Sequence, residues 1–479
     1  MKKTTAIALC VAMLCGMAGC NTKQNEKENG GDITLKVYMP AAQQKDLSLV
    51  LEEANKIIEP AIGAKIDMVF IDQGSYTEKM NMKLATKEYF DVCFTSNWLN
   101  PYGKGVKNNC YYPLTELIDK NCPELWDTMP QYWWDGAKVK GEIYAVPNQQ
   151  VAATAGAFTL NKKWVEKYNL DLDSIKSIDD FEPFFDEIVK NEPNYYALRT
   201  SGNFWENNYK GIASMVGVDL RDTDSLKAIY EWDADGFMNG LEKLRQYYEK
   251  GYIRKDVASV LDDINDFKAN KYVVTSTGWK PGFEATQSAQ LGGEHVAVIT
   301  REGMVDGSTL TSTMYAISAN SKYPDKSIKF INLMNTNKEL YNLICNGIEG
   351  KHYKWADDEH IELISDGGYY VNASWEFGNQ FNAYPLVGQD ADVWEKTKEF
   401  NENLKVSPII SFTFDSSSVQ TELSQMATVV SEYKNMLMYG CADWRKDFDG
   451  FKDKMMAAGA ENVLNELQKQ LDEYAKTNK

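Results

Sequence analysis

The sequence is poor in positive charge: 51 Lys and Arg stand against 69 Asp and Glu, a formal net charge of −18. No basic face for nucleic acid or an anionic membrane surface can be assembled easily from such a chain, so neither is expected as a partner. Histidine is scarcer still, with only His295, His352 and His360. There is no HExxH, GxSxG, P-loop or GxGxxG pattern, which removes the commonest metallopeptidase, serine-hydrolase and nucleotide-binding signatures. No DxDxDG loop points to calcium. The cysteines have no CxxC spacing, so neither a zinc site nor a disulfide framework is implied. Glycine and proline, at 32 and 13, are too ordinary for a fibrous chain. Beyond the leader, no apolar run reaches the length of about 20 residues that spans a bilayer.

Aromatic residues are plentiful, with 27 Tyr, 19 Phe and 12 Trp among 479 residues. That is more than a core needs and leaves some for a binding surface. The length implies two or three domains, with ample apolar material for cores. Lys2 and Lys3 precede the apolar run Ala6 to Met17, which fits a secretory signal. Met17-Ala18-Gly19-Cys20 resembles the lipobox of bacterial lipoproteins, in which the cysteine receives a diacylglycerol; a plain secretory signal is the alternative. Residues 1–19 are thus expected to be a signal peptide, Cys20 the lipidated N-terminus, and 20–31 a polar, flexible tether. Cys93, Cys110, Cys122, Cys345 and Cys441 remain in the mature chain. Cys110 and Cys122 are able to bridge a loop, and buried free thiols are an equal reading.

Order is expected from Ile33. Ile33, Leu35, Val37 and Met39 alternate as in a strand, a helix follows over 45–59 and ends near Pro60, and Ile66 to Ile71 is a second strand. A helix over 76–85 and a strand over 91–95 complete a βαβαβ unit, which builds a parallel sheet with ligands outside the carboxyl ends of its strands. A second α/β region covers roughly 156–300, with helices near 179–190 and 236–250 and a strand over 272–276. Met314 to Ser318 reads as a strand that leads into a helix over 324–335. After 345 come aromatic loops and then helices, the last marked by Val463, Leu464, Leu467 and Leu471.

Lys138 to Pro147 (KVKGEIYAVP) is similar to the KVNGKIYAVP segment of extracellular solute-binding proteins of the sugar-importing type. Ala319 to Ser321, followed by Ser327 to Met334, resembles that family's return to its first lobe. Gly347 to Tyr353 and Trp375 to Phe381 resemble a subgroup common in Gram-positive bacteria, and Phe412 to Asp415 through Gln468 to Asp472 its C-terminal domain. The resemblance implies an α/β, two-lobed periplasmic-binding-protein-like (type II) fold with hinge strands and a helical C-terminal region. Lobe 1 is then expected at 32–150 plus about 312–345, and lobe 2 at 151–311 plus 346–479. It further implies a lipid-anchored extracellular protein, monomeric and without cofactor, that closes on a carbohydrate and serves the permease subunits of an ABC importer.

A sugar pocket needs flat aromatic faces for the C–H side of a pyranose and amides for its hydroxyls. Trp98 with Asn97 and Asn100, Asn148-Gln149-Gln150 after Pro147, Trp279 before Pro281-Gly282, and Trp375 with Asn379 and Gln380 each offer that combination. A packed or solvated loop is the plainer reading of each. Trp205 is a weaker candidate, and Arg301, Glu349 and Asp415 are weaker still. No catalytic or metal-binding residue is assigned. A tethered glycoside hydrolase, which needs only two carboxylates such as Asp262 and Asp263, is the rival of a different class. Binding of a peptide, or service to a sensor, are the rivals within the same class.

Overall fold

The computed structural model describes residues 33–199, 209–221, 225–260 and 263–477. The leader, Cys20, the tether, Trp205 and Asp262 lie outside the described residues. The alternation at Leu35, Val37 and Met39 becomes the strand Thr34–Pro40, with all three side chains fully buried. It pairs in parallel with Lys65–Ile71 on one side and Val92–Thr95 on the other. Tyr38 points to the opposite face and is buried too, edge-on to Phe90 at 5.7 Å, because a parallel sheet is covered on both faces. Met314–Ile317, antiparallel to Val92–Thr95, and Ala145–Pro147, antiparallel in turn to Met314–Ile317, complete this five-stranded sheet.

The first helix corrects an expectation. It runs Leu47–Ile62 with Pro60 inside its last turn, and it stops at Gly63, whose φ of 66° closes the turn through a hydrogen bond to Glu59 O. Proline near the C-terminal end forfeits only one helical bond, whereas the left-handed glycine ends the helix.

A second, four-stranded sheet has the order His295–Arg301, Ala155–Asn161, Tyr272–Trp279, Tyr196–Arg199. Its core, from Phe158 to Val298, includes Phe181, Phe185 and Tyr252. A third sheet of Tyr209–Ala213, Val216–Asp219 and Lys227–Tyr230 carries the C-terminal helices Gln420–Glu432, Trp444–Ala457 and Ala460–Thr477. Val463, Leu467 and Leu471 are fully buried there, while Leu464 is only partly so. The helix Phe237–Lys250 joins the two cores along one stripe: Phe237 and Leu241 enter the helical core, and Leu244 and Tyr247 enter the core of the second sheet.

The segment 346–404, expected with lobe 2, instead packs with the first sheet. Tyr369, Val371, Phe377 and Ala383 are buried in its core, and Phe377 meets Phe70 edge-on at 6.3 Å. The Tyr369 hydroxyl donates to Ile344 O at 2.6 Å and Val371 N–H to Cys345 O at 3.3 Å, so the segment is fastened to the end of the helix Lys338–Asn346. The five cysteines of the described residues are free thiols; Cys93, Cys122 and Cys345 are buried, and burial pushes the Cys122 thiol up to about 12.

Between the sheets the chain crosses at 148–154, near 303, and at 404–410. The crossings meet at Gly303, where a Cβ would stand 2.8 Å from Leu404 Cδ2 and 2.9 Å from the Thr154 carbonyl oxygen. Gly303→Val is expected to destabilise the protein by about 1–3 kcal/mol, the usual cost of overpacking. A urea melt reads this as a lower midpoint; an unchanged midpoint would show that the crossings have room to part.

Candidate functional site

The strand Val92–Thr95 ends in a turn that is held tightly. Ser96 Oγ accepts from the N–H groups of Trp98 (3.2 Å) and Leu99 (2.7 Å). Asn100, buried and left-handed at φ 52°, donates through Nδ2 to Phe94 O at 2.9 Å. With both flanks fixed, Trp98 stays 47% exposed, an unusual state for so large a ring. Its indole N–H donates to Ser312 O at 2.8 Å. The ring rests edge-on to Phe94 and lies beside Trp375, with centroids 6.2 Å apart and planes inclined by 38°.

Trp375 is brought there by backbone pairing. Gln149 N–H donates to Gly378 O and Gln380 N–H donates to Gln149 O, both at 2.8 Å, so residues 378–380 run alongside the first crossing. The amides named from the sequence are largely engaged in this fastening. Gln149 Nε2 donates to Asn335 Oδ1 at 3.4 Å, Asn379 Nδ2 to Asn335 O at 3.2 Å, and Asn97 Nδ2 to Ser308 O at 2.5 Å. Gln150 donates to Thr313 Oγ1 at 2.9 Å and Gln380 to Ser374 Oγ at 3.0 Å. Asn148 donates through Nδ2 to Glu376 O at 2.6 Å, and its buried Oδ1 has no partner among the described residues.

Trp279 belongs to the other sheet. It ends the strand Tyr272–Trp279, opposite Ala155, where the first crossing arrives. Its indole N–H donates to Glu284 Oε1 at 2.8 Å, and its ring stands edge-on to Phe400 at 5.5 Å. Trp98, Trp375, Asn97, Asn148, Gln149 and Asn379 are therefore one group on the first sheet, and Trp279 sits across the crossings. Among the weaker candidates, Asp415 caps the turn Ser416–Ser418, Glu349 bridges to Tyr353, and the Arg301 side chain lies over Gly156. Asp263, half of the carboxylate pair considered for hydrolysis, is held by Arg199 at 2.7 Å, and the guanidinium keeps its carboxyl below the usual range.

Glu376 is not singled out by the sequence. It is 1% exposed, its Oε1 accepts from Gln73 Nε2 at 3.3 Å, and its Oε2 is buried without a partner among the described residues. Burial pushes its carboxyl up to about 8, so it is neutral at pH 7. The one signal is its position between Trp375 and Phe377, an acid flanked by two rings. The arrangement offers apolar ring faces beside buried hydrogen-bonding groups, which suits an amphipathic, hydroxyl-bearing ligand.

The family model described as bacterial extracellular solute-binding protein matches residues 52–340, and a domain of unknown function matches 408–476. A carbohydrate ABC transporter substrate-binding protein of Streptococcus pneumoniae is 28% identical over 494 residues, covering 100% of this chain and 99% of its own. Lipoprotein LipO of Bacillus subtilis is 21% identical, covering 98% of each. A crystal structure of the N-glycan transport solute binding protein from Streptococcus pneumoniae superposes with a TM-score of 0.82 at 27% identity, over 94% of this chain and 100% of that one. The score is 0.69 for its complex with Man1GlcNAc and 0.66 for that with Man5GlcNAc.

Glu376 also makes stability depend on pH. Its carboxyl titrates at about 8 in the folded chain against 4.5 when unperturbed. Between those values the folded state holds more protons than the unfolded one, so stability falls as pH rises. Glu376→Gln removes that fall: its melting temperature is expected to match the parent near about pH 5 and to exceed it increasingly up to about pH 9. A constant difference across this range would rule out the buried acid as the cause.

Proposed function

Because the chain belongs to the family of bacterial extracellular solute-binding proteins, we propose that it captures an oligosaccharide between its lobes and delivers it to the permease of an ABC importer. The observation that carries this reading is the Trp98–Trp375 pair: two indoles side by side, one of them 47% exposed, on a turn fixed by hydrogen bonds. Rings held in advance bind the C–H faces of successive sugar residues without having to be ordered first. Trp279 supplies a further ring from the second sheet. The fall in TM-score from 0.82 to 0.69 and 0.66 against the glycan complexes supports an open arrangement of the lobes here, able to close on ligand. The names of the relatives support a carbohydrate over a peptide or amino acid.

The protein acts from the outer face of the cell membrane, tethered through lipidated Cys20, as a monomer. The lipobox residues support the anchor, together with the similarity to a relative named as a lipoprotein. No helix among the described residues is long and apolar enough to cross a membrane.

A second reading, a glycoside hydrolase, would draw on Glu376, whose raised pKa suits a general acid. Its carboxyl, however, is buried against Gln73 and 1% exposed, whereas a general acid must reach the glycosidic oxygen. Recovery of the sugar separates the two readings. A capture protein returns it intact, and a hydrolase returns it cleaved, with the cleavage abolished in Glu376→Gln.

Titration calorimetry against neutral mannose- and N-acetylglucosamine-containing oligosaccharides is the direct test. Binding is expected, with the melting temperature raised by a ligand stabilisation of about 2.7 kcal/mol at 100 times Kd. Trp98→Ala and Trp375→Ala are each expected to cost about 2 kcal/mol, about thirtyfold in Kd, as for a central aromatic contact. Undiminished affinity in both variants would move the site elsewhere.

A further inference from the structure

The chain has far more acids than bases, and its lysines are commonly held by carboxylates. Lys56, Lys162, Lys396 and Lys454 each hydrogen-bond a Glu or Asp, which raises their pKa values. Lys280 departs from this pattern. It follows directly on Trp279, is half-buried, and its ammonium makes no ion pair or hydrogen bond among the described residues. Burial alone acts on it and pushes its pKa down. A half-buried cation without a counter-charge is unfavourable unless an anion arrives.

A second cation stands on the same end of the sheet. Arg301 closes the strand His295–Arg301 opposite Gly156, and Gly156 pairs on its other side with Gly278, two residues before Lys280. The Arg301 guanidinium lies over Gly156: a Cβ there would meet its Nε at 3.1 Å and Nη2 at 3.4 Å. It is exposed and, like Lys280, makes no ion pair or hydrogen bond among the described residues, so its guanidinium is free to meet a ligand. The two flanking strands are about 10 Å apart, twice the usual strand spacing, a gap that two long side chains are able to bridge. Paired Gly156 and Gly278 leave bare backbone between them. The nearest acids along the chain are engaged elsewhere: Glu284 accepts from the Trp279 indole at 2.8 Å, and Glu302 pairs with Lys405 at 2.6 Å.

We propose that Lys280 and Arg301 receive the carboxylate of an acidic sugar residue lying beside Trp279, so that the oligosaccharide this protein captures carries a uronate. This rests on the carbohydrate reading above and specifies its substrate class. Arg301 offers a planar fork for a carboxylate and Lys280 a point charge, while Trp279 gives the sugar ring an apolar neighbour. The surface charge of −18 does not oppose it, because local counter-charge at the site sets the preference.

The test compares oligosaccharides carrying one uronic acid residue with the same oligosaccharides after reduction of the carboxyl to an alcohol, by titration calorimetry on the purified protein. Neutral mannose- and N-acetylglucosamine-containing oligosaccharides complete the panel. The acidic form is expected to bind at least about tenfold more tightly than its reduced counterpart, the scale of one charge-assisted contact. Lys280→Met and Arg301→Gln are each expected to remove most of that preference while leaving affinity for the reduced form within error of the parent. The ligand-free melting temperature is expected to hold in Arg301→Gln and to rise in Lys280→Met, which removes a half-buried charge without a partner. Reduced forms that bind as well as the acids overturn the proposal and leave the carbohydrate reading standing, as does binding confined to the neutral oligosaccharides. Failure of every saccharide to bind overturns both.

Discussion

Gln149 is paired through its backbone with residues 378 and 380, and the rest of the site depends on that short ladder. Through it, a segment more than two hundred residues downstream is laid along the crossing that leaves the first sheet. Trp375 is thereby set beside Trp98, and Glu376 is turned into the interior against Gln73 and Asn148. The amides of Asn335 and Asn379 reinforce the ladder from below. Buried amides generally find partners, and here most of their groups bond the chain's own backbone and side chains. The rings are the groups left for a ligand.

Each sheet has its own core, and the crossings between them pack closely because Gly303 has no side chain. The C-terminal helices are coupled to the second sheet by the shared stripe of the helix Phe237–Lys250, while Asp415 at their start pairs with Lys107 on the side of the first sheet. Lys210, on the third sheet, pairs with Asp306, which caps the short helix Gly307–Leu310 at the second crossing. The third sheet therefore reaches the second crossing through an ion pair.

What is legible in the sequence is what repeats locally. The alternation from Leu35 to Met39 and the spacing of Val463, Leu467 and Leu471 translate directly into buried faces, because period determines which side of an element meets the core. The family segments place the two-lobed architecture. The packing of residues 346–404 on the first sheet is not legible, because their attachment is backbone pairing at long range, which leaves no periodic trace. Asn97, Gln149 and Asn379 stand near the crossings, but sequence does not tell whether an amide faces a ligand or a neighbouring carbonyl. Glu376 and Lys280 stay hidden for a related reason: their distinction lies in burial without a counter-charge, a property of the fold and not of the residue.

The three cores differ in how much of the chain each requires. The core of the second sheet is drawn wholly from residues 158–298, a continuous stretch. The core of the first sheet begins at Leu35 but needs Tyr369 to Ala383, and the helical core reaches Leu471. In a chain that emerges N-terminus first, the middle core is therefore complete before the core of the first sheet. Leu35, Val37 and Val92 have neighbours close in sequence, from Val50 to Phe94, but the core they enter is completed only by Met314 to Ile317 and Tyr369 to Ala383, more than two hundred residues further on.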